Sequence, residues 1–319
     1  MQQNWKYIYT VYKKRSFSKA AQELYMTQPT LSIAIQKVEK EIGMPLFDRE
    51  KKPLELTDAG EIYIEKLNQM QALEDELEMR LNDLSQLKIG RIHLGGTHYL
   101  NSYILPPVLA AFQEKYPGIQ LSLSEAGSFD LLTMLAENEI DLTLNCTPSP
   151  ENAFNRMPGF RDIILLAVPA HFAANKSLQQ CALSAADVMN NKHLSHDFPS
   201  VNLDSFSSIP FIMLTTGNNL YHRCLALFEQ HNIKPQISLQ VSQLVTAYHL
   251  AQSGIGATFI SSRLVTQNHA DMNYYKIDSP LTIRNFDLIT SYGRYMSHAQ
   301  KAFIELFQQY YADTFSYDL

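Results

Sequence analysis

A chain of 319 residues is long enough for two or three domains, each with a real core. Hydrophobic residues make up 45% and charged residues 18%, below the charged share of about 25% typical of globular domains. This excludes a disordered acidic chain and a wholly basic nucleic-acid coat protein. The net charge of −6 is uneven: residues 1–60 stand at +3, residues 61–90 at −4 and the remainder at −5.

A basic amino-terminal block on an acidic chain is the electrostatic footprint of a small nucleic-acid-binding domain. The first residues, MQQNWKYIYTVYKK, mix aromatics and lysines where a secretory signal would be uniformly apolar. Trp5, Ile8, Tyr9 and Tyr12 instead give one apolar helix face, closed by Lys13, Lys14 and Arg15. Ser18 is expected to cap a short second helix carrying Ala20, Ala21 and Leu24. Thr27 caps a third, with Pro29 in its first turn and Gly43 and Pro45 stopping it. Leu31, Ile35, Val38 and Ile42 form its buried stripe. Gln28, Ser32 and Gln36 lie on another face with Thr30, Ile33 and Lys37 alongside. Short hydrogen-bonding groups of this kind enter a major groove and read base edges. The pattern predicts a helix-turn-helix followed by a small hairpin wing. Arg49, Lys51 and Lys52 at its tip are expected to lie against phosphates.

The segment SFSKAAQELYMTQPTLSIAIQKVEKEIGMPLFDREKKPLELTDAG, Ser16 to Gly60, resembles the winged helix-turn-helix of the LysR-type transcriptional regulators. The matches include Ser16-Phe17, Ala20-Ala21, Gln28-Pro29, Ser32, Glu39, Leu46-Phe47, Arg49 and Ala59-Gly60. Ala34 and Ile33 depart from the family, which often has Gln and a polar residue there, so they bear on operator preference. The DNA-binding set expected here is Ser18, Gln28, Pro29, Thr30, Ser32, Ile33, Gln36, Lys37, Arg49, Lys51 and Lys52.

Thr57 is positioned to cap a proline-free helix from Asp58 to about Lys88, some 46 Å long. Tyr63, Met70, Leu77 and Leu84 repeat every seven residues, with Leu67 and Leu81 on a second seam that Glu74 interrupts. Such a length calls for a partner, and two copies packed antiparallel suit a two-fold operator. A helix folded back on its own domain is the alternative. The resemblance also implies a dimerising linker.

From Arg91 strands alternate with helices: Ile92 to Leu94, Ser102 to Tyr116, Ile119 to Leu123, Asp130 to Asn138 and Leu142 to Cys146. The run Ile163 to Val168 reads as a buried strand. Its apolar extension to Ala174 contains Pro169 and His171 and falls short of the ~18 residues that would span a bilayer. Residues 211–214, 220–231, 237–241 and 243–252 continue the alternation, and Ala182 to Ile209 is irregular. The alternation implies α/β layers whose ligands sit where strand ends meet helix starts. Gly95 to Tyr99, Gly127-Ser128 and Thr215 to Asn218 look like that mouth, where backbone N–H groups favour an anion or carboxylate.

ILPPVLAAFQEKYPGIQLSLSEAGSFDLLTMLAENEIDLTL and AQSGIGATFIS resemble the same family's inducer-binding domain. The resemblance spans nearly the whole chain and is weakest over residues 182–209. It places Thr97, His98, Tyr99, Ser128, Asn145 or Cys146, Thr216 and Gly217 at an effector cleft. It implies two periplasmic-binding-protein-like lobes joined near Leu166 to Pro169 and Phe259 to Ser262. Ser261 stands where the family often has Pro. The expected plan is a winged helix-turn-helix over 1–57, a linker helix over 58–90 and an effector domain over 91–319. Within the effector domain, lobe one covers about 91–164 and 263–319, and lobe two about 165–262.

No catalytic constellation emerges. Cys146, Cys181 and Cys224 are odd in number and far apart, which argues against a disulfide framework. Cys146 as a redox sensor and His193-His196-Asp197 as a metal cluster are minority readings, and no metal or cofactor is expected. Gly254 and Gly256 lack a phosphate-loop lysine. The favoured function is a cytoplasmic transcription regulator, not an enzyme. It would bind double-stranded DNA as a dimer or tetramer, switched by a small polar or carboxylate effector, with RNA polymerase a candidate partner and no membrane contact. The alternatives are a constitutive DNA-binding protein whose second domain serves assembly, and an enzyme on the two-lobed scaffold.

Overall fold

A computed structural model describes residues 2–84, 89–149, 153–266 and 271–312. The chain forms two compact units, Met1–Glu78 and Met79–Leu319.

The first unit begins with α1 (Gln2–Lys14), α2 (Phe17–Glu23) and α3 (Gln28–Ile42). Ile8 and Val11 of α1 are buried against Ala20 and Ala21 of α2 and Leu31, Ile35 and Val38 of α3, with Trp5, Tyr9 and Tyr12 at the edge of this core. The cap of α2 is Ser16, whose side chain accepts from the Lys19 N–H, and not Ser18, which is exposed inside the first turn. The helix starts early because Phe17 packs edge-on against Phe47, with ring centroids 5.7 Å apart. Thr27 caps α3, and Gly43 ends it in the left-handed region at φ +80° with its N–H on the Glu39 carbonyl. The wing is the antiparallel pair β1 (Phe47–Asp48) and β2 (Glu55–Leu56).

α4 (Asp58–Asp83) follows, with the Thr57 hydroxyl accepting from the Gly60 N–H. Residues 85–88 of the expected linker lie outside the described residues. Leu67 is buried in the amino-terminal core beside Ile64 and Tyr63 packs on it, so these two seam positions, Tyr63 and Leu67, serve their own domain. The exposed apolar stripe is Met70, Leu73, Leu77, Leu81 and Leu84, spaced three, four, four and three as a helix of 3.6 residues per turn requires.

The second unit holds β3 (Gly90–Gly96), α5 (Leu105–Lys115), β4 (Ile119–Glu125), α6 (Ser128–Ala136), β5 (Leu142–Asn145) and β6 (Phe154–Pro169). A π-helical turn at Leu100–Ile104 leads into α5. After short turns come α7 (Ala185–Met189), β7 (Pro210–Leu214), α8 (Asn219–Gln230), β8 (Gln236–Val241), α9 (Leu244–Gln252) and β9 (Thr258–Ser261). The last elements are β10 (Met272–Tyr275), β11 (Ile283–Ser291) and α10 (His298–Tyr310).

The first lobe carries the order β4-β3-β5-β11-β6, with β3 parallel to β4 and β5, and β11 antiparallel to β5 and β6. The sixteen-residue β6 leaves this sheet midway. Residues 154–163 pair with β11, whereas 164–167 pair with β9 and 166–169 with β10. β7 and β8 are parallel and join β9 through the Phe211–Ala257 bridge. Because β10 pairs with the far half of β6 and Ile277 still bridges Val201, the chain does not re-enter lobe one at residue 263. It returns between Ile277 and Ile283.

Gly60 sits in the first turn of α4, where a Cβ would lie 2.0 Å from the Leu46 carbonyl oxygen. Glycine to alanine inside a helix ordinarily stabilises by about 0.5–1 kcal/mol. Gly60→Ala is expected to do the reverse, destabilising the first unit by about 1–3 kcal/mol through overpacking. Urea unfolding of the variant measures this, and a gain in stability would contradict the packing described.

Candidate functional site

The reading face is set by which side of α3 is buried. Gln28, Pro29, Thr30, Ile33, Gln36 and Lys37 are exposed, while Ser32 is half-buried. Ser32 Oγ accepts a bond of 3.1 Å from Arg49 Nη1, and Arg49 Nη2 lies 2.9 Å from Glu39 Oε2. The other Glu39 oxygen accepts from the Leu46 N–H, and the Arg49 guanidinium stacks over Phe17 at 4.9 Å. Arg49 is therefore a brace between wing and α3, not a free cation at the wing tip. Lys51 pairs with Glu55 at 2.5 Å, and that hydrogen bond raises its pKa. Lys52 is exposed beside it.

In the second unit a cavity of about 360 Å³ opens between the lobes. Of the residues that the resemblance places at an effector cleft, Thr97, His98, Tyr99, Ser128, Cys146 and Gly217 line it. Asn145 does not: its amide donates to the Ser128 carbonyl at 2.6 Å and its oxygen accepts from the Thr147 N–H. Strand alternation turns Cys146 to the cavity and Asn145 to the protein. Thr216 is likewise outside the lining, which takes Thr215 and Gly217 on either side of it. The lining also includes Glu125, Asp130, Asn219, Gln243 and Arg284, which the sequence reading missed. Gln243 follows a strand as Gly127 does, so the same strand-to-helix rule would have found it.

Three helices begin at this cavity. Gly127, Asn218 and Gln243 are the N-caps of α6, α8 and α9, all three line the cavity, and none caps its helix with a side chain. Elsewhere Ser16, Thr27, Ser184 and Ser297 do so. First-turn backbone N–H groups without a side-chain cap and the positive ends of three helix dipoles thus converge on one space. Acidic groups also line it: Asp130 in the first turn of α6, and Glu125, whose carboxylate lies 3.2 Å from His98 Nδ1.

Behind the cavity lies a buried polar network. Asp162, 1% exposed, takes Arg284 Nε at 2.8 Å on one oxygen. Its other oxygen accepts from Ser261 Oγ at 2.5 Å and Tyr99 Oη at 3.2 Å. Burial, the largest single influence, works against the charge on Arg284, 4% exposed, but Asp162 together with Cys146 and Tyr99 turns the balance and the pKa rises. Burial, with Asp162 next, lifts Tyr99 well above the usual phenol range. The hydroxyl of Ser261, at the position where the family often has Pro, completes this network. Across the mouth Cys146 Sγ donates to Asn219 Oδ1 at 3.3 Å and Phe129 meets His222 edge-on at 5.5 Å. A Cβ on Gly127 would come 2.8 Å from the Gly217 carbonyl oxygen.

Burial pushes the Cys146 thiol up, opposite to what a reactive thiolate needs. His193 is buried, and burial followed by Lys276 lowers its pKa to about 4, while His196 and Asp197 are exposed. No metal-binding group of His, Cys, Asp and Glu occurs among the described residues.

A polar-faced helix-turn-helix joined by a long helix to a two-lobed cavity domain defines a ligand-responsive DNA-binding regulator. The family models agree: residues 3–61 match the bacterial regulatory helix-turn-helix protein of the lysR family, and residues 85–312 the LysR substrate binding domain. The chain belongs to the LysR family of transcriptional regulators. As such it is a DNA-binding transcriptional regulator with an effector-binding domain, and the relatives it matches are regulators and not enzymes. A relative from Bacillus subtilis (strain 168), the uncharacterized HTH-type transcriptional regulator YcgK, is 28% identical over 312 residues, covering 97% of this chain and 94% of its own. The crystal structure of CbnR, a LysR family transcriptional regulator, shares the fold at a TM-score of 0.62 and 17% identity, with 97% and 98% of the chains covered. The effector binding domain of QuiR in complex with shikimate aligns at 0.56 and 18% identity, with 70% and 98% covered.

Asp162→Asn removes the charge that compensates Arg284 in the interior. Breaking a buried pair on one side costs about 3–5 kcal/mol, so a loss of that size is expected in the unfolding free energy of the second unit. A loss below about 1 kcal/mol would show that the pair does not hold the junction.

Proposed function

We propose that the protein reads a two-fold DNA site through the exposed face of α3 and is switched by a small carboxylate held in the inter-lobe cavity. The observation that carries the ligand class is the convergence of three uncapped helix starts on one cavity. Such ends favour negative charge, and Arg284, though its charge is paired with Asp162, lies in the same lining. The acidic Glu125 and Asp130 leave room for a second, donor-bearing end of the ligand. A neighbour of this fold, the QuiR effector domain, holds shikimate, which supports a ligand of this size in such a cleft.

α6 belongs to the first lobe and α8 and α9 to the second. A carboxylate touching all three gains more contacts when the lobes approach, and that difference in affinity between arrangements is what shifts a population. Thr97, His98, Tyr99, Ser128, Cys146 and Gly217 form the remaining contact set. On α3, Gln28, Thr30, Ser32, Ile33 and Gln36 face base edges, while Lys37 and Lys52 meet phosphates. The stripe Met70, Leu73, Leu77 and Leu81 on α4, with Leu84 just past its end, suits the same stripe of a second copy, giving the dimer that a two-fold site requires. A tetramer and a contact with RNA polymerase extend the same reading, as does action in the cytoplasm. Among the described residues no helix is long and apolar enough to cross a membrane.

Selection of duplexes from a random pool by the full-length protein, followed by titration at several salt concentrations, tests this. A two-fold consensus is expected. Lys37→Ala should weaken binding to all sequences alike and lower the salt slope by about one for each half-site, whereas Gln28→Ala should relax the consensus at one position. Unchanged slope and unchanged consensus would place the DNA on another surface.

A further inference from the structure

At 100° per residue, the buried positions Leu31, Ile35 and Val38 of α3, with Ile42, point in one general direction. Ile33 lies nearly opposite, at the crest of the helix facing away from its own domain. It is 66% exposed. Pro29, one turn earlier, is exposed beside it, and Thr30, Gln36 and Lys37 flank the two. The outermost line of the helix is therefore an apolar step, Pro29 to Ile33, set in an otherwise polar face. Ser32 stands further back, half-buried, with its Oγ already accepting from Arg49. The first side chain to meet a base-pair edge is thus a branched hydrocarbon.

The major groove offers hydrogen-bonding edges on every base pair and a single kind of apolar group, the C5-methyl of thymine. We infer that Ile33 packs against a thymine methyl and sets a preference for thymine at one position in each half-site, with Pro29 closing the apolar contact. The inference rests on the reading of α3 as the groove-facing helix. The surroundings fit a base edge. Lys37 on the same crest reaches toward phosphate, and the Gln36 amide is suited to a neighbouring adenine. Cytosine in place of thymine would set a bare amino edge against the hydrocarbon and leave it imperfectly paired.

Deoxyuridine isolates the interaction, because it keeps every pairing group of thymine and lacks only the methyl. The full-length protein is used to select a site from a random duplex pool. Its affinity is then measured by fluorescence anisotropy for the selected duplex and for one in which deoxyuridine replaces the conserved thymidine of each half-site. The wild-type protein is expected to enrich a fixed thymine in each half-site and to lose about fourfold in affinity for each methyl removed, the worth of one buried methyl group. Ile33→Ala should bind the two duplexes within a factor of two, Ile33→Val should retain the discrimination, and Lys37→Ala should weaken both while keeping their ratio. Thermal unfolding of the Ile33 variants should match the wild type, since the side chain lies outside the core. Equal wild-type affinity for thymine and uracil duplexes, or discrimination that persists in Ile33→Ala, overturns the assignment while leaving α3 as the reading helix. If no sequence is enriched, the reading of α3 fails with it.

Discussion

The carboxylate of Asp162 ties together segments that are far apart in the chain. It sits on β6 at the point where that strand passes from one sheet to the other. It receives Arg284 from the returning strand β11, Ser261 from β9 and Tyr99 from the turn after β3. A buried carboxylate with these donors is fixed in place, because releasing any one leaves a polar group unsatisfied in the interior. The junction is therefore held from both lobes, and two of its members, Tyr99 and Arg284, also line the cavity where the helix starts meet.

Side-chain caps are missing at these helix starts. Asn218, of a type that caps readily, instead donates its amide to the Ser242 carbonyl, and a side-chain oxygen turned back onto the first turn of α6, α8 or α9 would satisfy orphan N–H groups from within. It would also remove the groups that can hold an anion. The three helices remain uncapped at a shared cavity and draw their stability from apolar faces buried in the lobes, such as Leu131 and Leu135 of α6 and Leu227 and Phe228 of α8. Glycine at position 127 serves the same end, since it lets the first lobe approach the Gly217 carbonyl of the second.

Local features of the fold were legible in the sequence. Thr27, Pro29 and Gly43 bound α3 because capping, the first-turn proline and the left-handed stop all act within a few residues. The strand-to-helix mouths at Gly127 and Thr215 followed from the same local logic. What escaped depended on distant partners. Ser16 displaces Ser18 as cap because Phe17 is drawn toward Phe47, thirty residues on. Arg49 turns back because Glu39 of α3 stands within reach. Arg284 carries no motif of its own, and its partner Asp162 is 122 residues away. Leu73 was hidden by the assumption of a strict seven-residue repeat, whereas a straight helix of 3.6 residues per turn places it on the stripe. Asn145 and Cys146 differ by one strand position, and which of them faced the cavity depended on register.

A small anion at the three open helix ends would alter DNA binding from there. Amide hydrogen exchange of the full-length protein, measured against a panel of small carboxylates and paired with affinity for its selected DNA, tests this directly. The account predicts that a binding carboxylate slows exchange together in the first turns of α6, α8 and α9 and changes the DNA affinity in the same titration. Protection confined to one lobe or to another surface, or protection at all three helix starts with unchanged DNA affinity, would contradict it.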